Sequence, residues 1–272
     1  MPSDAQVGPE NVGRRSYAGV MAKRTSPGIP GIGLPVRRVE ARSGIEGERR
    51  GWPYDIAAVR TLLTDGIDLG RATIVVGENG TGKSTLVEAI AEQFGLNPEG
   101  GSTGAMHHTR RTESSLAADL QLVRGVGGGR GGYFLRAETM HGFFTYLEES
   151  GMGSFHERSH GESFLDLIGD RFFDHRGIAH PGLYVLDEPE SALSFSSSLK
   201  VLALLLEVLD APGTQILMAT HSPVLAALPG ATIWEVSDAG LTPTAWEDLA
   251  LVVDLKRFVA GPERVLHHLL SG

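Results

Sequence analysis

The residues Ala72–Thr85 constrain the fold most, because they join an apolar strand pattern to a glycine-rich turn and a helix pattern. The β-branched run Thr73–Val76 leads directly into the frame GENGTGKS, Gly77–Ser84. Glycines let backbone N–H groups approach an anion closely, and a helix start points its positive dipole end at the same place. The frame predicts a phosphate-binding loop, in which Lys83 neutralises the β- and γ-phosphates and Ser84 ligates Mg²⁺. The alternative is a glycine-rich turn that binds nothing.

The predicted nucleotide-binding set comprises the loop and the first helical residues. Its members are Gly77, Glu78, Asn79, Gly80, Thr81, Gly82, Lys83, Ser84 and Thr85.

A second apolar run, Leu183–Leu186, ends in the acids Asp187 and Glu188. Unbroken apolar runs are typical of parallel strands buried on both faces, and α/β sheets bind ligands at the carboxyl ends of such strands. Asp187 is therefore predicted to hold Mg²⁺, directly or through water, and Glu188 to act as a general base toward the attacking water. The alternative is a strand that ends in a solvated acidic turn.

A third buried strand pattern, Gln215–Ala219, leads to His221. One helix pattern, Ser194–Leu209, separates this strand from the acidic pair, so the two strands are expected to be neighbours in the sheet. His221 would then lie at the same sheet edge as Asp187, within reach of a γ-phosphate. The alternatives are a structural histidine and a helix N-terminal residue.

Strand patterns that alternate with helix patterns predict an α/β fold of the P-loop NTPase type, with a mostly parallel sheet flanked by helices. A late hairpin, Thr232–Val236 with Leu241–Ala245, predicts a small antiparallel part. Residues 35–272 are expected to form one domain, with an irregular insertion at about 95–131 that contains a strand at Asp119–Val123. Such an insertion is typical of a mobile lid or a partner-facing region.

Residues 1–34 are rich in Gly, Pro, Ser and charge, and they predict a disordered basic tail. The alternative is an upstream start, with Met21 as the true first residue. The chain has no cysteine, which excludes disulfides and fits a reducing cytoplasm. There is no apolar run of about 18 residues, so no transmembrane helix is predicted. The net charge of −9 argues against a broad nucleic-acid-binding face.

The motifs GENGTGKST, VLDEPE and ATHSP, in this order, resemble those of the ATP-binding-cassette ATPases over about residues 50–240. Within that group the chain resembles the small stand-alone bacterial ATPases that are often called AAA-family. The resemblance implies binding of ATP with Mg²⁺, hydrolysis to ADP and phosphate, and a nucleotide-bridged head-to-tail homodimer. It also implies that His221 senses the γ-phosphate.

The resemblance further implies a signature sequence, LSGGQ in the family, that binds the partner's ATP. Its counterpart here is RSHGE, Arg158–Glu162, which keeps the Ser and one Gly and departs at the other three positions. The residues implied to act in trans are Ser159, His160, Gly161 and Glu162. The alternative is a plain capped helix start. The family's D-loop resembles Ser191–Ser194, which ends in Ser rather than Asp.

Two other family positions have counterparts that differ from the usual pattern. The family's Q-loop glutamine is missing, and Glu138, after the strand pattern Tyr133–Ala137, is implied to take its contact with Mg²⁺-bound water. An aromatic residue before the phosphate-binding loop usually stacks on adenine in this family. Tyr54 and Trp52 are the candidates, with ordinary core packing as the alternative.

Three cellular roles are compatible with this reading, and we expect a soluble regulatory or defence-type ATPase that acts on an unknown macromolecular partner. The energy subunit of a transporter is the first rival, although the altered signature and the missing glutamine argue against it. A DNA-repair ATPase is the second, although such proteins insert a long coiled coil that residues 95–160 do not contain. A nucleotide-binding switch with little turnover is a further alternative.

Deletion of residues 1–20 is expected to leave the melting temperature and the rate of ATP hydrolysis nearly unchanged. The physical reason is that this composition cannot bury enough apolar surface to offset the entropy lost on ordering. Thermal unfolding and phosphate release of the truncated and full chains test this. A fall of many degrees would mean that the segment is docked on the domain.

Overall fold

The computed structural model describes residues 33–44, 49–97, 101–102, 116–136 and 160–271. The strands in these ranges are β1 (Arg38–Ala41), β2 (Ile67–Asp68), β3 (Ala72–Val76), β4 (Gly101–Ser102), β5 (Leu120–Val123), β6 (Gly131–Arg136), β7 (Gly182–Asp187), β8 (Thr214–Thr220), β9 (Thr232–Ser237) and β10 (Gly240–Pro243). The helices are α1 (Ala57–Asp65), α2 (Lys83–Phe94), α3 (Leu116–Asp119), α4 (His160–Phe172), α5 (Phe195–Asp210), α6 (Pro223–Ala226), α7 (Ala250–Ala260) and α8 (Pro262–Ser271). Short 3-10 turns lie at Pro189–Ala192 and Trp246–Asp248. None of the helices in the described ranges combines the length and the apolar character needed to cross a bilayer.

A seven-stranded sheet forms the centre of the described fold, in the order β10-β9-β3-β8-β7-β6-β4. The neighbours from β9 to β6 are parallel, and the edge strands β10 and β4 are antiparallel to them. Parallel neighbours need long crossovers, and helices such as α5, between β7 and β8, supply them. The predicted P-loop α/β fold with a mostly parallel sheet is confirmed. Its topology brings the carboxyl ends of β3, β8 and β7 side by side.

The central strands are buried on both faces, because alternate residues pack into two different cores. In β7, Leu183 and Val185 join a core with α1 and α2, whereas Tyr184 and Leu186 join the opposite core with α4 and α5. Successive side chains of a strand point to opposite faces, so a strand covered on both sides is apolar along nearly its whole length. This requirement explains the unbroken apolar runs of the sequence.

A second sheet is small and antiparallel, in the order β2-β1-β5. Together with the β9–β10 hairpin it makes up the small antiparallel part that the sequence predicts. Inside the segment predicted to be irregular, residues 116–123 form α3 and β5, because Leu116 and Leu120 are fully buried in the core beside α1 and α2. Residues 1–32 of the predicted tail lie outside the described ranges. Leu34, at the end of that predicted tail, is largely buried, with 9% of its surface exposed.

Gln215 ties the entering chain to the middle of the central sheet. Its side chain is fully buried, with Oε1 accepting from the N–H of Val36 at 2.8 Å. Its Nε2 donates to the carbonyls of Val36 at 2.6 Å and Gly70 at 2.8 Å. A polar residue is tolerated inside β8 because it satisfies backbone groups that no strand partner reaches.

Gln215→Leu is expected to lower the free energy of unfolding by roughly 3 kcal/mol, since each buried group left without a partner costs about 1–3 kcal/mol. Leucine has nearly the volume of glutamine, so the loss reports hydrogen bonding rather than a cavity. Denaturant unfolding of the variant and the parent measures it. Gln121→Leu, at an exposed position of β5, is the matched control and should change stability little. Equal losses in both variants would contradict the role given to Gln215.

Candidate active site

The loop between β3 and α2 is shaped by two glycines. Gly82 is the N-cap of α2 with φ of 96°, and a Cβ there would lie 2.6 Å from Cγ2 of Ile56. A Cβ on Gly77 would lie 2.8 Å from the carbonyl oxygen of Val236. Both positions therefore require glycine. Gly82 has no side chain to cap α2, so the first N–H groups of the helix are not capped by it and suit an anion.

Lys83 begins α2 and is almost fully buried, with 2% exposure. Its Nζ donates to the carbonyl oxygen of Glu78 at 2.7 Å and lies 3.2 Å from Oε1 of Glu188. Thr81 Oγ1 donates to the same Glu78 carbonyl at 2.8 Å. The lysine charge is thus held between the loop and the acid that follows β7. A buried ammonium needs such partners, because an unpaired one would carry a large desolvation cost.

Ser84 and Asp187 meet across the same edge. Ser84 Oγ donates to Oδ1 of Asp187 at 2.9 Å, and the Asp187 side chain is 5% exposed at the end of β7. A hydroxyl and a carboxylate at hydrogen-bond distance are the hard oxygen donors that Mg²⁺ takes when it is shared with nucleotide phosphates. These two residues fit a magnesium ion bound with ATP.

Arg136 is a part of the site that the sequence analysis missed. It is aligned with Asp187 in the β6–β7 register, and its Nε lies 3.9 Å from Oδ2 of that carboxylate. Its Nη2 lies 2.7 Å from Oε1 of Glu88 on α2. The available signal was a charged residue at the end of an apolar strand pattern. Its position beside Asp187 follows from the strand order, which sequence alone did not specify.

Glu188 has a left-handed backbone, with φ of 46° and ψ of 50°. It alone among the described non-glycine residues has a positive φ. Such a conformation costs roughly 1–3 kcal/mol and concentrates at functional sites. The backbone is held by the N–H of Glu188, which donates to Ala219 at 3.0 Å, and by its carbonyl, which accepts from Ser191. The structure thus fixes the point at which the chain turns out of β7.

His221 follows β8 and lies between two carboxylates. Its Nδ1 is 3.1 Å from Oε1 of Glu190 and 3.9 Å from Oε1 of Glu188. Its backbone N–H also donates to Oε1 of Glu190, at 2.6 Å. Sequence analysis placed His221 at this edge but assigned no role to Glu190. The available signal was a third acid in the run Asp-Glu-Pro-Glu.

The remaining predicted site residues are placed less completely. Glu138 and Ser159 lie outside the described residues, and His160, Gly161 and Glu162 form the first residues of α4. Their proposed contacts in trans stay predictions.

The two aromatic candidates differ in exposure. Tyr54 is 7% exposed and lies in the core. Its hydroxyl donates a hydrogen bond to Oδ2 of Asp119 at 2.7 Å. This environment matches the alternative of ordinary core packing. Trp52 is 64% exposed. Adenine stacking therefore stays a prediction. Of the two candidates, Trp52 is the one whose ring is exposed enough to stack on a base.

Comparison with known proteins gives three kinds of match. A family model described as "AAA domain, putative AbiEii toxin, Type IV TA system" matches residues 175–227. A "Putative ABC transporter ATP-binding protein" of Streptomyces avermitilis is 32% identical over 198 residues, covering 62% of this chain and 34% of that protein. The cytochrome c biogenesis ATP-binding export protein CcmA of Rhizobium etli is 28% identical over 171 residues, covering 57% of this chain and 77% of that protein.

Among solved structures, the SMC head domain from Thermotoga maritima has a TM-score of 0.42 and 14% identity, covering 78% of this chain and 100% of that one. The chain spans about a third of the length of its Streptomyces relative. The family model covers both the acidic pair after β7 and His221. The ordered motifs, the observed fold and the sequence relatives together support the resemblance to ATP-binding-cassette P-loop ATPases that the motifs indicated.

Proposed function

We propose that this chain binds ATP with Mg²⁺ at the carboxyl edge of its central sheet and hydrolyses it to ADP and phosphate. The observation that carries the proposal is one continuous set of contacts. Ser84 meets Asp187, Lys83 meets Glu188, and Glu188 lies 3.9 Å from His221. Phosphoryl transfer to water needs positioning and charge neutralisation more than covalent catalysis, and this edge provides groups for both.

Phosphate binding depends on Lys83 and on the start of α2. The partners of Lys83 in the structure are the Glu78 carbonyl and Glu188, and the phosphate oxygens would replace them. The first N–H groups of α2 add hydrogen-bond donors and the positive end of the helix dipole. Ser84 and Asp187 would hold Mg²⁺, which supplies neutralisation of the charge on the β- and γ-phosphates when it is bound.

Hydrolysis depends on Glu188 and His221. Glu188 accepts a proton from the attacking water. At the same time the oxygen of that water bonds to the γ-phosphorus, and the bond between the γ-phosphorus and the bridging β–γ oxygen breaks. The Glu188 side chain is 29% exposed, so water reaches it, whereas Asp187 beside it is buried. His221 contacts the γ-phosphate and orients it. General-base assistance of this kind contributes roughly 10²–10⁴-fold.

A nucleotide-bridged homodimer completes the proposal, with Ser159–Glu162 of one copy facing the γ-phosphate bound to the other. The resemblance of Arg158–Glu162 to the family's signature sequence supports this arrangement, and His160–Glu162 belong to α4. Each site would then be complete only in the dimer.

The role that we favour is regulatory or defence-type action on another macromolecule. The match of residues 175–227 to a family model whose description includes a toxin–antitoxin system supports it. The second candidate is the ATP-binding subunit of a transporter, which the names of the Streptomyces and Rhizobium relatives favour. Pulldown of the Glu188→Gln protein with ATP from its native cells separates them. An integral membrane partner supports the transporter, and a non-membrane partner the first role.

Lys83→Ala is expected to abolish ATP binding at working concentrations, because it removes the buried charge that neutralises the β- and γ-phosphates. Truncation of one partner of a buried charged pair costs about 2–5 kcal/mol, so the affinity should fall roughly 30-fold to several-thousand-fold. Calorimetric titration with MgATP measures it. Lys200→Ala, on the exposed side of α5, is the matched control. Near wild-type affinity of the Lys83 variant would exclude this phosphate site.

Glu188→Gln is expected to bind ATP well but to release phosphate roughly 10²–10⁴-fold more slowly, since glutamine cannot accept the proton of water. The substitution also removes a negative charge near the γ-phosphate, so the ATP-bound state should last longer. If Ser159–Glu162 acts in trans, that state should be a dimer. Phosphate release and light scattering with and without MgATP measure the two effects.

Glu207→Gln, at an exposed position of α5, is the control for the loss of one carboxylate and should keep the wild-type rate. A wild-type rate in Glu188→Gln would remove Glu188 as the base. A mass that stays monomeric with ATP would remove the composite site and leave the nucleotide site standing.

A further inference from the structure

Glu190 lies in the 3-10 turn that follows β7, and its side chain is 9% exposed. Its Oε1 accepts from Thr220 Oγ1 at 2.7 Å and from the backbone N–H of His221 at 2.6 Å. The same oxygen lies 3.1 Å from Nδ1 of His221. Its other oxygen, Oε2, is buried and has no hydrogen-bond partner among the described residues. Among the described residues, the contacts of this carboxylate thus all go to the end of β8.

A buried carboxylate is costly unless hydrogen bonds compensate its lost hydration. Here the compensation comes from two consecutive residues, Thr220 and His221, and both converge on one oxygen. A role limited to capping the end of β8 would need only the backbone N–H and the threonine hydroxyl. The additional approach of Oε1 to Nδ1, at 3.1 Å, places the carboxylate against the imidazole ring as well as against the backbone from which the ring projects.

The Nδ1 contact bears on which ring nitrogen carries the proton. An ionised carboxylate can accept a hydrogen bond but not donate one, so its oxygen at 3.1 Å favours the ring form that carries a proton on Nδ1. The nitrogen left for a ligand is then Nε2. Carboxylates that hold the far nitrogen of a functional histidine act in this way at metal centres, where they fix both the tautomer and the ring orientation.

We propose that Glu190 is a positioning residue, which holds the ring of His221 through Nδ1 and so presents Nε2 to the γ-phosphate. The part of this inference that concerns the γ-phosphate rests on the proposed function, whereas the part that concerns Nδ1 rests on the observed contact between Glu190 and His221.

The two acids that flank Pro189 have separate tasks in this proposal. Glu188 is engaged by Lys83 at 3.2 Å and lies farther from Nδ1 of His221, at 3.9 Å. Glu190 lies closer to that nitrogen, at 3.1 Å, and is far less exposed than Glu188. Glu188 is therefore the acid that water reaches, and Glu190 is the acid that holds the histidine.

The first test is nitrogen-15 NMR of the imidazole rings in the nucleotide-free protein, at a pH of about 9, where ordinary histidines are neutral. The His221 signals are assigned among the ten histidines by their loss in His221→Ala. The wild type should carry the proton on Nδ1. Glu190→Gln keeps an acceptor oxygen and should retain this tautomer, whereas Glu190→Ala should lose it.

The second test uses the rate of ATP hydrolysis. Glu190→Ala should lower kcat roughly 100-fold with little change in KM, because a misplaced catalytic group loses transition-state contacts more than ground-state binding. Glu190→Gln should recover most of this loss. The double variant Glu190→Ala/His221→Ala should be no slower than His221→Ala alone, since a residue that acts through another adds nothing once that residue is gone.

An Nε2-protonated His221 in the wild type, or an unchanged tautomer in Glu190→Ala, would overturn the proposal. The proposal would also be overturned if the kcat of the double variant fell below that of His221→Ala by the same factor by which Glu190→Ala lowers the wild-type kcat. If Glu190→Ala does not fold, Glu190→Asp takes its place, because it keeps the charge but withdraws the oxygen by one methylene. A wild type that hydrolyses no ATP would refute the proposed function, and the NMR comparison would still decide the role of Glu190.

Discussion

The parallel register of three strands is the constraint on which the site depends. Val76 of β3 pairs with Thr220 of β8, and Ala219 of β8 pairs with Asp187 of β7. The three strands therefore end at nearly the same level, and the residues that follow them project from one edge. A shift of one residue in either register would turn alternate side chains to the opposite face. The two cores prevent such a shift, because it would place each set of apolar side chains against the wrong helices.

The sequence was sufficient for the parts of this architecture that depend on local pattern. The loop at Gly77–Ser84, the acids at the end of β7 and His221 after β8 were all predicted at one edge, since each follows a strand pattern that is mostly apolar. The small antiparallel part was predicted, but the pairing of its strands was predicted only for the hairpin. The β9–β10 hairpin has a local pattern, whereas β1, β2 and β5 pair over long distances in the chain.

The positions of Arg136 and Glu190 in the site could not be predicted from local sequence pattern, because their roles depend on side-chain partners in other strands. Arg136 acquires its place only when β6 lies next to β7, and Glu190 only when the turn after β7 lies against the end of β8. Neither has a spacing that distinguishes it from an ordinary surface charge. Tyr54 illustrates the reverse case, because its position suited adenine stacking and its hydroxyl instead donates to Asp119 inside the core.

The charges at the sheet edge explain why the proposed ligand is a nucleotide together with a divalent cation. The described cations in contact with the edge are Lys83 and Arg136, and the described carboxylates are Glu88, Asp187, Glu188 and Glu190. Carboxylates therefore exceed cations at this edge, which would repel a free triphosphate. The start of α2 offsets part of this repulsion, with roughly half a positive charge. In the proposed function a divalent cation on Ser84 and Asp187 would offset the rest, and the binding of ATP would in this way be coupled to the carboxylates that its hydrolysis needs.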